Sequence, residues 1–442
     1  MNICSIGFLT VFALAGAIVF LLPKGLPRQI LLAVWNVAFL ATWIPDRVAW
    51  IVLAVFLLSG YVVAWAARSM VNLGARKALL TVYFLLLLTS FVVLKKYDII
   101  SRLLPQSFLT YWVGIVGLSY MLFRQIHFVV DSAEGQVENP SLWTYINYQI
   151  SVFTILAGPI DRYQNFSPEW QSLEPVLPDQ HARLTAIFRI LMGLLKVTVV
   201  AALLLYVANK CIEHQLYIRR PRDAGRFAML FYCYPAYIYF NFSGYCDVAI
   251  GSALFFGMRL PENFNHPYLS RNMIDFWTRF HITLTNWIRD YVFNPLYKSL
   301  LMRWPKWSRS AAYTSYFIAL FLAGLWHGST SNWVVYGLMH GAGVSTTKWW
   351  EERIIKKRGR PGLREYLKNP RIRVAATIIT FNFACSTFLF FPPGLHERVM
   401  FLRRFLFENP TAMVMMTAGP VGHAHGPAFV RLPILSQIVS VI

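Results

Sequence analysis

The chain has 442 residues, of which 57% are hydrophobic and 14% charged, and its mean hydropathy is +0.47. A soluble globular domain is about 45–50% apolar and about 25% charged. The composition therefore excludes a disordered chain, a secreted disulfide scaffold and an ordinary cytosolic enzyme. Because no alternating pattern of barrel strands is found, it predicts an all-α polytopic membrane protein.

The charge is strongly basic, with 41 Lys and Arg against 20 Asp and Glu and a formal net charge of +21. In a soluble protein this excess would favour nucleic-acid binding. In a membrane protein it is typical of cytoplasmic loops held near anionic lipid headgroups, so membrane lipids and no nucleic acid are predicted as partners. The five cysteines are scattered without a CxxC pair, which favours neither a metal site nor a disulfide framework.

Apolar runs long enough to cross or enter a bilayer recur along most of the chain. The candidates lie at 5–22, 29–44, 48–67, 78–94, 107–123, 142–158, 183–208, 226–257, 311–326, 331–349 and 373–391, with a weaker one in the tail. They predict about ten to twelve membrane helices in one domain over 1–442, with peripheral membrane helices in 1–110. The basic stretch 353–373 is predicted to be a cytoplasmic loop.

One polar segment, 261–298, interrupts these apolar runs and reads PENFNHPYLSRNMIDFWTRFHITLTNWIRDYVFNPLYK. Charged side chains rarely face hydrocarbon, so this segment predicts a buried re-entrant or interfacial helix pair, entered at the Pro261 and Pro267 turns and left at Pro295. Helical spacing places Asp275 four residues before Arg279, which favours an ion pair. Trp277 and His281 have the same spacing. The alternative is an amphipathic helix on the membrane surface.

A second polar island contains two histidines, each followed by glycine, in Trp326-His327-Gly328 and Met339-His340-Gly341. Small residues let membrane helices approach closely. For His340 the favoured interpretation is an interhelical hydrogen bond. For His327 a structural and a functional role are equally supported.

A neutral buried imidazole accepts a proton from a hydroxyl, because its ordinary pKa lies near physiological pH. The motifs GxSxG, GxxxxGK[ST] and HExxH are missing, and no Rossmann-type GxGxxG is found. The residues themselves leave two chemistries open, which are acyl transfer to a hydroxyl and proton-coupled transport with Asp247 and Asp275 in a relay. Transporters often contain internal repeats, and none is found here.

Several blocks resemble the signature of the membrane-bound O-acyltransferase (MBOAT) family. The blocks are the 261–297 segment, NFSGYCDVAIG, GLWHG, VVYGLMHG and GPIDRY, and they lie in the family's order within about 120–345. They are most similar to the bacterial branch that acylates polysaccharide or teichoic acid. The resemblance implies the family's fold, in which membrane helices surround a central funnel or tunnel.

Residue by residue, the resemblance implies that His327 in GLWHG is the essential histidine and that His281 in TRFH is the second catalytic position. It implies that the two rings approach each other at the neck of the tunnel. Trp326, Asp275, Arg289 and Asp290 are candidates for substrate binding. Two features depart from the family pattern: Thr278 replaces the usual first arginine of RRWH, and Asn294 to Lys298 replace a glycine-rich continuation.

The implied activity is acyl transfer, most simply of acetyl, to a hydroxyl of an extracytoplasmic cell-envelope polysaccharide at the bacterial inner membrane. The donor would be acetyl-CoA or an acylated carrier protein, with no bound cofactor. A periplasmic or extracellular acyltransferase is a possible further partner. The alternatives are D-alanyl transfer to teichoic acid, a glycan or lipid transporter or flippase, and a membrane scaffold for a separate enzyme.

Overall fold

The computed structural model describes residues 4–44, 46–94, 117–173, 179–215, 223–328 and 330–391. These residues form α1 (Ile6–Leu21), α2 (Leu26–Ala41), α3 (Arg47–Ser69), α4 (Leu73–Leu94), α5 (Leu118–Ala133), α6 (Leu142–Gln149), α7 (Tyr163–Ser172), α8 (Gln180–Leu195), α9 (Ala202–Gln215), α10 (Asp223–Phe255), α11 (Met273–Trp277), α12 (Ile282–Ile288), α13 (Asn294–Arg303), α14 (Ser308–His327), α15 (Ser331–Lys368) and α16 (Pro370–Phe388). Short π-helical turns cover Lys196–Ala201 and Arg289–Phe293. Within the described ranges, β pairing is limited to an isolated bridge between Phe264 and Phe280, so the all-α class is confirmed.

The chain divides into two compact units. Unit 1 comprises residues 1–194, 244–265 and 280–295, and unit 2 comprises 195–243, 266–279 and 296–442. His281 belongs to unit 1 and His327 to unit 2. The funnel between them, the approach of their rings and the single-domain organisation stay predictions.

Within the described part of the chain, three helices are both long and apolar enough to cross a membrane, at Arg47–Ser69, Leu73–Val93 and Gln180–Cys211. Two shorter apolar helices lie at Gly7–Val19 and Leu26–Ala41. Other predicted spans coincide with helices that carry more polar residues, such as α10, α14 and α15. Most of the predicted 107–123 span and the whole tail beyond residue 391 lie outside the described residues.

The predicted membrane segment at 142–158 is wrong as a single helix. Only the eight residues of α6 are helical there, and the chain continues through turns to Gly158. These turns are deeply buried, with Phe153 and Ile155 almost fully shielded. An apolar run therefore signals burial here, not a spanning helix.

The basic stretch 353–373 is not a loop. It continues α15 to Lys368 and enters α16, with a break in the helical backbone at Gly359. The Asn369 side chain accepts hydrogen bonds from Arg371 N and Ile372 N, which caps α16. Lys, Arg, Glu and Leu are good helix formers, and this preference outweighs the charge pattern that suggested a loop.

In unit 2, α14 and α15 pack backbone against backbone. A Cβ atom on Gly324 would come within 2.5 Å of the Gly337 Cα atom. The two helices therefore need glycine where they cross, because only small residues let membrane helices approach so closely. The contact holds His327, the last residue of α14, beside the first turns of α15.

Candidate active site

His281 immediately precedes α12 and is buried within unit 1. Its backbone lies in the left-handed region, with φ 50° and ψ 52°, and the residue is 2% exposed. Such a conformation is uncommon for a residue with a side chain and persists only where the surroundings enforce it. Here the neighbouring segment enforces it, since Ile282 N donates to the Asn263 backbone oxygen at 3.0 Å and Phe264 pairs with Phe280.

Asn263 connects His281 to the start of α12. Its Oδ1 atom lies 3.2 Å from His281 Nδ1 and accepts hydrogen bonds from Thr283 N at 3.2 Å and Thr283 Oγ1 at 2.9 Å. Thr283 Oγ1 in turn accepts a hydrogen bond from Ile160 N, which belongs to the GPIDRY block. Asn263 lies in the quoted PENFN sequence, yet sequence reasoning gave it no role.

The helical details of the 261–298 segment differ from the prediction in two respects. Trp277 and His281 do not share a helix, because α11 ends at Trp277 and His281 adopts the left-handed conformation. Pro295 does not end the second helix. It lies just after the π-helical turn Arg289–Phe293, and the helical backbone continues through it to Arg303.

The predicted ion pair of Asp275 is confirmed. Arg279 Nε donates to Asp275 Oδ1 at 2.7 Å, and Arg271 N donates to Asp275 Oδ2 at 3.0 Å. Burial works against the charged carboxylate, but these donors outweigh it and hold the pKa of Asp275 below its ordinary value. The carboxylate thus stabilises α11, and its proposed contact with substrate stays a prediction.

Replacing Asp275 by Asn is expected to lower the thermal midpoint in detergent at pH 7, by an amount equivalent to about 1–3 kcal/mol. Because the folded pKa is depressed, the stabilisation is present above the unfolded pKa of about 3.9 and disappears as the pH falls through the folded pKa. Melting curves of both proteins from pH 7 to pH 3 should therefore converge at the acidic end. A pH-independent gap would contradict this explanation.

His327 lies in an aromatic enclosure in unit 2. Its ring stacks on Trp333 at 5.1 Å, lies 4.6 Å from the Trp326 ring, and is 6.0 Å from both Tyr336 and Phe391. The residue is half-buried, whereas Trp326 is buried. Gly328 permits the close approach of the Trp333 ring, since a Cβ atom there would overlap the indole. Aromatic rings thus enclose the imidazole on several sides.

His340 has the structural role that the sequence favoured. It is fully buried, and Trp277 Nε1 donates to its Nδ1 at 3.2 Å, while its Nε2 lies 3.0 Å from Thr387 Oγ1. The Thr387 hydroxyl donates to Ala384 O, so its oxygen accepts from His340 Nε2. Both ring nitrogens are thus engaged in joining α11, α15 and α16.

The candidate substrate residues Arg289 and Asp290 lie in the π-helical turn after α12. Arg289 Nε donates to Asp290 Oδ1 at 2.9 Å, and Asp290 also forms an ion pair with Arg162 of the GPIDRY block. Arg289 is the most exposed of the three side chains, at 56%. The structure brings these two candidates together in unit 1 with His281, and their contact with substrate stays a prediction.

A buried polar cluster joins this turn to α5, and the sequence reasoning missed it. Tyr291 donates to Asp131 Oδ1 at 2.7 Å and accepts from Arg162 Nη1 at 2.9 Å. His127 Nδ1 lies 2.8 Å from the Tyr291 hydroxyl and 3.1 Å from Asp131 Oδ2, while its Nε2 accepts from Tyr163 N. The available signal was His127 and Asp131 four residues apart in an apolar helix, which places both on one face.

Replacing Tyr291 by Phe is expected to destabilise the fold by about 1–3 kcal/mol, because it leaves the buried Asp131 carboxylate and the Arg162 guanidinium each one hydrogen bond short. Thermal unfolding in detergent measures the loss. Tyr206→Phe is a matched control, since Tyr206 is 62% exposed and should melt like the parent protein. Equal midpoints for the two variants would rule out a stabilising role for the cluster.

Two further acids pair with arginine. Arg189 Nη2 lies 3.1 Å from Asp247 Oδ1, and the same guanidinium binds Glu262. Asp247 is thus held in an ion pair with Arg189. Among the residues whose positions are described, no group of three His, Cys, Asp or Glu side chains is arranged to hold a metal ion.

Comparison with known proteins identifies the class to which these helices and histidines belong. The family model described as "MBOAT, membrane-bound O-acyltransferase family" matches residues 31–380. The chain therefore belongs to the membrane-bound O-acyltransferase family, and it is an integral membrane O-acyltransferase.

Relatives fall into two groups. The chain is 30% identical to a teichoic acid D-alanyltransferase of Bacillus subtilis (strain 168) over 284 residues, which cover 63% of this chain and 69% of that protein. It is 28% identical to the protein of the same name in Streptococcus thermophilus over 64% of this chain and 70% of the relative. It is 31% identical to the probable alginate O-acetylase AlgI of Pseudomonas aeruginosa over 55% of this chain but only 45% of that protein. Both groups carry acyl transfer in their names, and this chain is similar to both.

Proposed function

We propose that the protein is a multi-pass enzyme of the bacterial inner membrane that transfers an acyl group, acetyl in the leading case, to a hydroxyl of an extracytoplasmic cell-envelope polysaccharide. The donor is a thioester such as acetyl-CoA or an acylated carrier protein, and no cofactor is bound. The observation that carries the proposal is the half-buried His327 imidazole enclosed by Trp326, Trp333 and Tyr336 in a family of acyltransferases.

His327 is the general base in this proposal. As the acceptor hydroxyl attacks the thioester carbonyl carbon, its proton passes to the imidazole, a C–O bond forms and the C–S bond breaks. The proton then passes from His327 to the departing thiolate, which leaves as a thiol. Positioned proton transfer of this kind contributes about 10²–10⁴-fold in rate.

His281 is assigned to the donor side of the reaction. It orients the thioester or stabilises the negative charge that develops on the carbonyl oxygen, and preorganised groups of this kind contribute about 10²–10³-fold. Trp326, Asp275, Arg289 and Asp290 are proposed to contact substrate. The exposed Arg289 is the best placed of these for a charged group.

Docking of the donor is proposed at the basic stretch 353–373. This stretch carries mostly exposed Lys and Arg side chains on α15 and α16. Such a surface attracts phosphate groups of coenzyme A or an acidic carrier protein. Contact with anionic lipid headgroups explains the same charges, and added salt together with lipid composition would separate the two.

A second candidate is D-alanyl transfer to teichoic acid. It is favoured by the share of each relative's length that this chain matches. The share is about 70% for the D-alanyltransferases and 45% for the Pseudomonas aeruginosa alginate O-acetylase. The chemical step is the same, with D-alanine carried as a thioester. The acceptor and donor therefore decide between the two.

The test is acyl transfer by protein reconstituted in lipid vesicles with labelled acetyl-CoA or a labelled D-alanyl carrier, each supplied with a polysaccharide or a teichoic acid. Labelled ester on polysaccharide supports the leading case, and label on teichoic acid supports the second candidate. Label that appears only when a periplasmic acyltransferase is added indicates a relay through that partner. Movement of unmodified glycan across the bilayer without ester formation would contradict the proposal and favour a flippase.

A further inference from the structure

Asn263 determines where the proton of His281 lies. Thr283 N points at the Asn263 side-chain atom 3.2 Å away. A backbone N–H only donates, so this atom is the amide oxygen and the orientation of the Asn263 amide is fixed. The Thr283 hydroxyl supports this orientation, since it accepts from Ile160 N and therefore directs its own proton to the same oxygen.

The same oxygen lies 3.2 Å from His281 Nδ1. An amide oxygen only accepts, so the Nδ1 atom must carry a hydrogen. A neutral imidazole has one N–H, and the hydrogen bonds of the ring decide which of the two nitrogens carries it. In the neutral ring, Nε2 is then the nitrogen with the lone pair.

Several contacts hold Asn263 in this position. Its backbone oxygen accepts from Ile282 N at 3.0 Å, and its Nδ2 lies 3.4 Å from Cys246 Sγ. Asn263 is 1% exposed and His281 2%, so bulk water does not compete for the Nδ1 hydrogen bond. The left-handed backbone of His281 further limits the directions in which its ring can point.

We infer that Asn263 is a positioning residue that fixes His281 as the Nδ1–H tautomer, so that His281 meets its substrate with an accepting Nε2. The inference rests on the proposed function, and it decides between the two roles given to His281 there. A neutral ring with its lone pair on Nε2 accepts a hydrogen bond and does not donate one to an oxyanion. His281 therefore orients a substrate group that carries an N–H or O–H, which is an amide of the thioester donor or the hydroxyl of the acceptor.

The test is ¹⁵N NMR of histidine-labelled protein in detergent, with the His281 signal assigned by its loss in His281→Gln. The parent protein should show protonated Nδ1 and unprotonated Nε2 at neutral pH. In Asn263→Leu the single tautomer should be lost and kcat/KM should fall about 10–100-fold. Asn263→Asp keeps acceptor oxygens at the same position, so it should restore the Nδ1–H form and more activity than the Leu variant.

Asn147→Leu is the matched control. Asn147 is also 1% exposed. Its Oδ1 atom accepts a hydrogen bond from Asn36 Nδ2, its Nδ2 atom donates one to Trp143 O, and neither bond involves His281. It removes a buried asparagine of the same unit, and it should leave the His281 spectrum and turnover per folded molecule unchanged. A general loss of packing would affect both leucine variants alike.

The outcomes separate the inference from the function on which it rests. An Nε2–H tautomer in the parent protein, or an unchanged spectrum and turnover in Asn263→Leu, would overturn the inference while acyl transfer stands. Absence of acyl transfer in the parent protein would overturn the proposed function, and the spectrum would still report the tautomer. If the Leu variant raises the KM of the donor, His281 orients the donor. If it raises the KM of the acceptor, His281 orients the acceptor hydroxyl.

Discussion

Replacing His327 by Ala is expected to reduce acyl transfer by about 10²–10⁴-fold, to the limit of detection in a vesicle assay. Without the imidazole, the acceptor hydroxyl has no positioned base in the enclosure formed by Trp326, Trp333 and Tyr336. The defect should lie mainly in kcat, because proton transfer belongs to the transition state. Labelled ester formed per minute per folded protein is the measurement.

His181→Ala is the control for this variant. His181 is exposed near the start of α8. Its backbone N–H donates to Asp179 Oδ1 and its backbone oxygen accepts from the Thr185 hydroxyl, and neither bond involves the imidazole. The control should retain full turnover and the parent melting temperature. Retained acylation by His327→Ala would refute the assignment of the base, and a variant that elutes as aggregate would be replaced by His327→Gln, which preserves more of the ring packing.

Replacing His281 by Ala is expected to lower the rate by about 10²-fold, since it removes a buried group, held in place by Asn263, that orients a substrate. The effect should appear in kcat/KM for both substrates when the reacting groups are no longer aligned. Single-turnover measurements with a pre-formed donor complex would separate the chemical step from binding.

His340→Ala provides the contrast for this second variant. His340 joins Trp277 to Thr387 with both ring nitrogens, so its loss should lower the melting temperature while the folded fraction turns over normally. His281→Ala should show the opposite pattern, with little turnover in protein that remains folded. Normal turnover in His281→Ala would reduce that histidine to a packing role.

The sequence was a good guide to helix content and to residues that lie close together along the chain. Apolar length predicted the positions of α1 to α4 and of α8 to α10, and the four-residue spacing predicted the ion pair between Asp275 and Arg279. These features depend on local periodicity, which a single sequence displays directly. The close helix approach expected beside the glycine that follows each histidine is found at Gly341, where a Cβ atom would lie 3.0 Å from the Phe317 backbone oxygen. The tighter crossing at Gly324 and Gly337 is not among the predicted positions.

Features that depend on distant residues or on backbone conformation were missed. The left-handed conformation of His281 follows from hydrogen bonds to Asn263, 18 residues earlier, and no local pattern indicates it. The cluster of His127, Asp131 and Tyr291 joins positions more than 150 residues apart. The charge pattern of the stretch 353–373 predicts a loop, but the stretch is helical because many of its residues are strong helix formers.

The acyltransferase role of His327 is tested most directly by ester formation in vesicles containing the purified protein, with labelled thioester donor on one side and glycan acceptor on the other. The parent protein should place label in ester linkage on the glycan, and His327→Ala reconstituted to the same amount should give background label. Equal label from the two proteins, or glycan that crosses the bilayer without gaining an ester, would contradict this role.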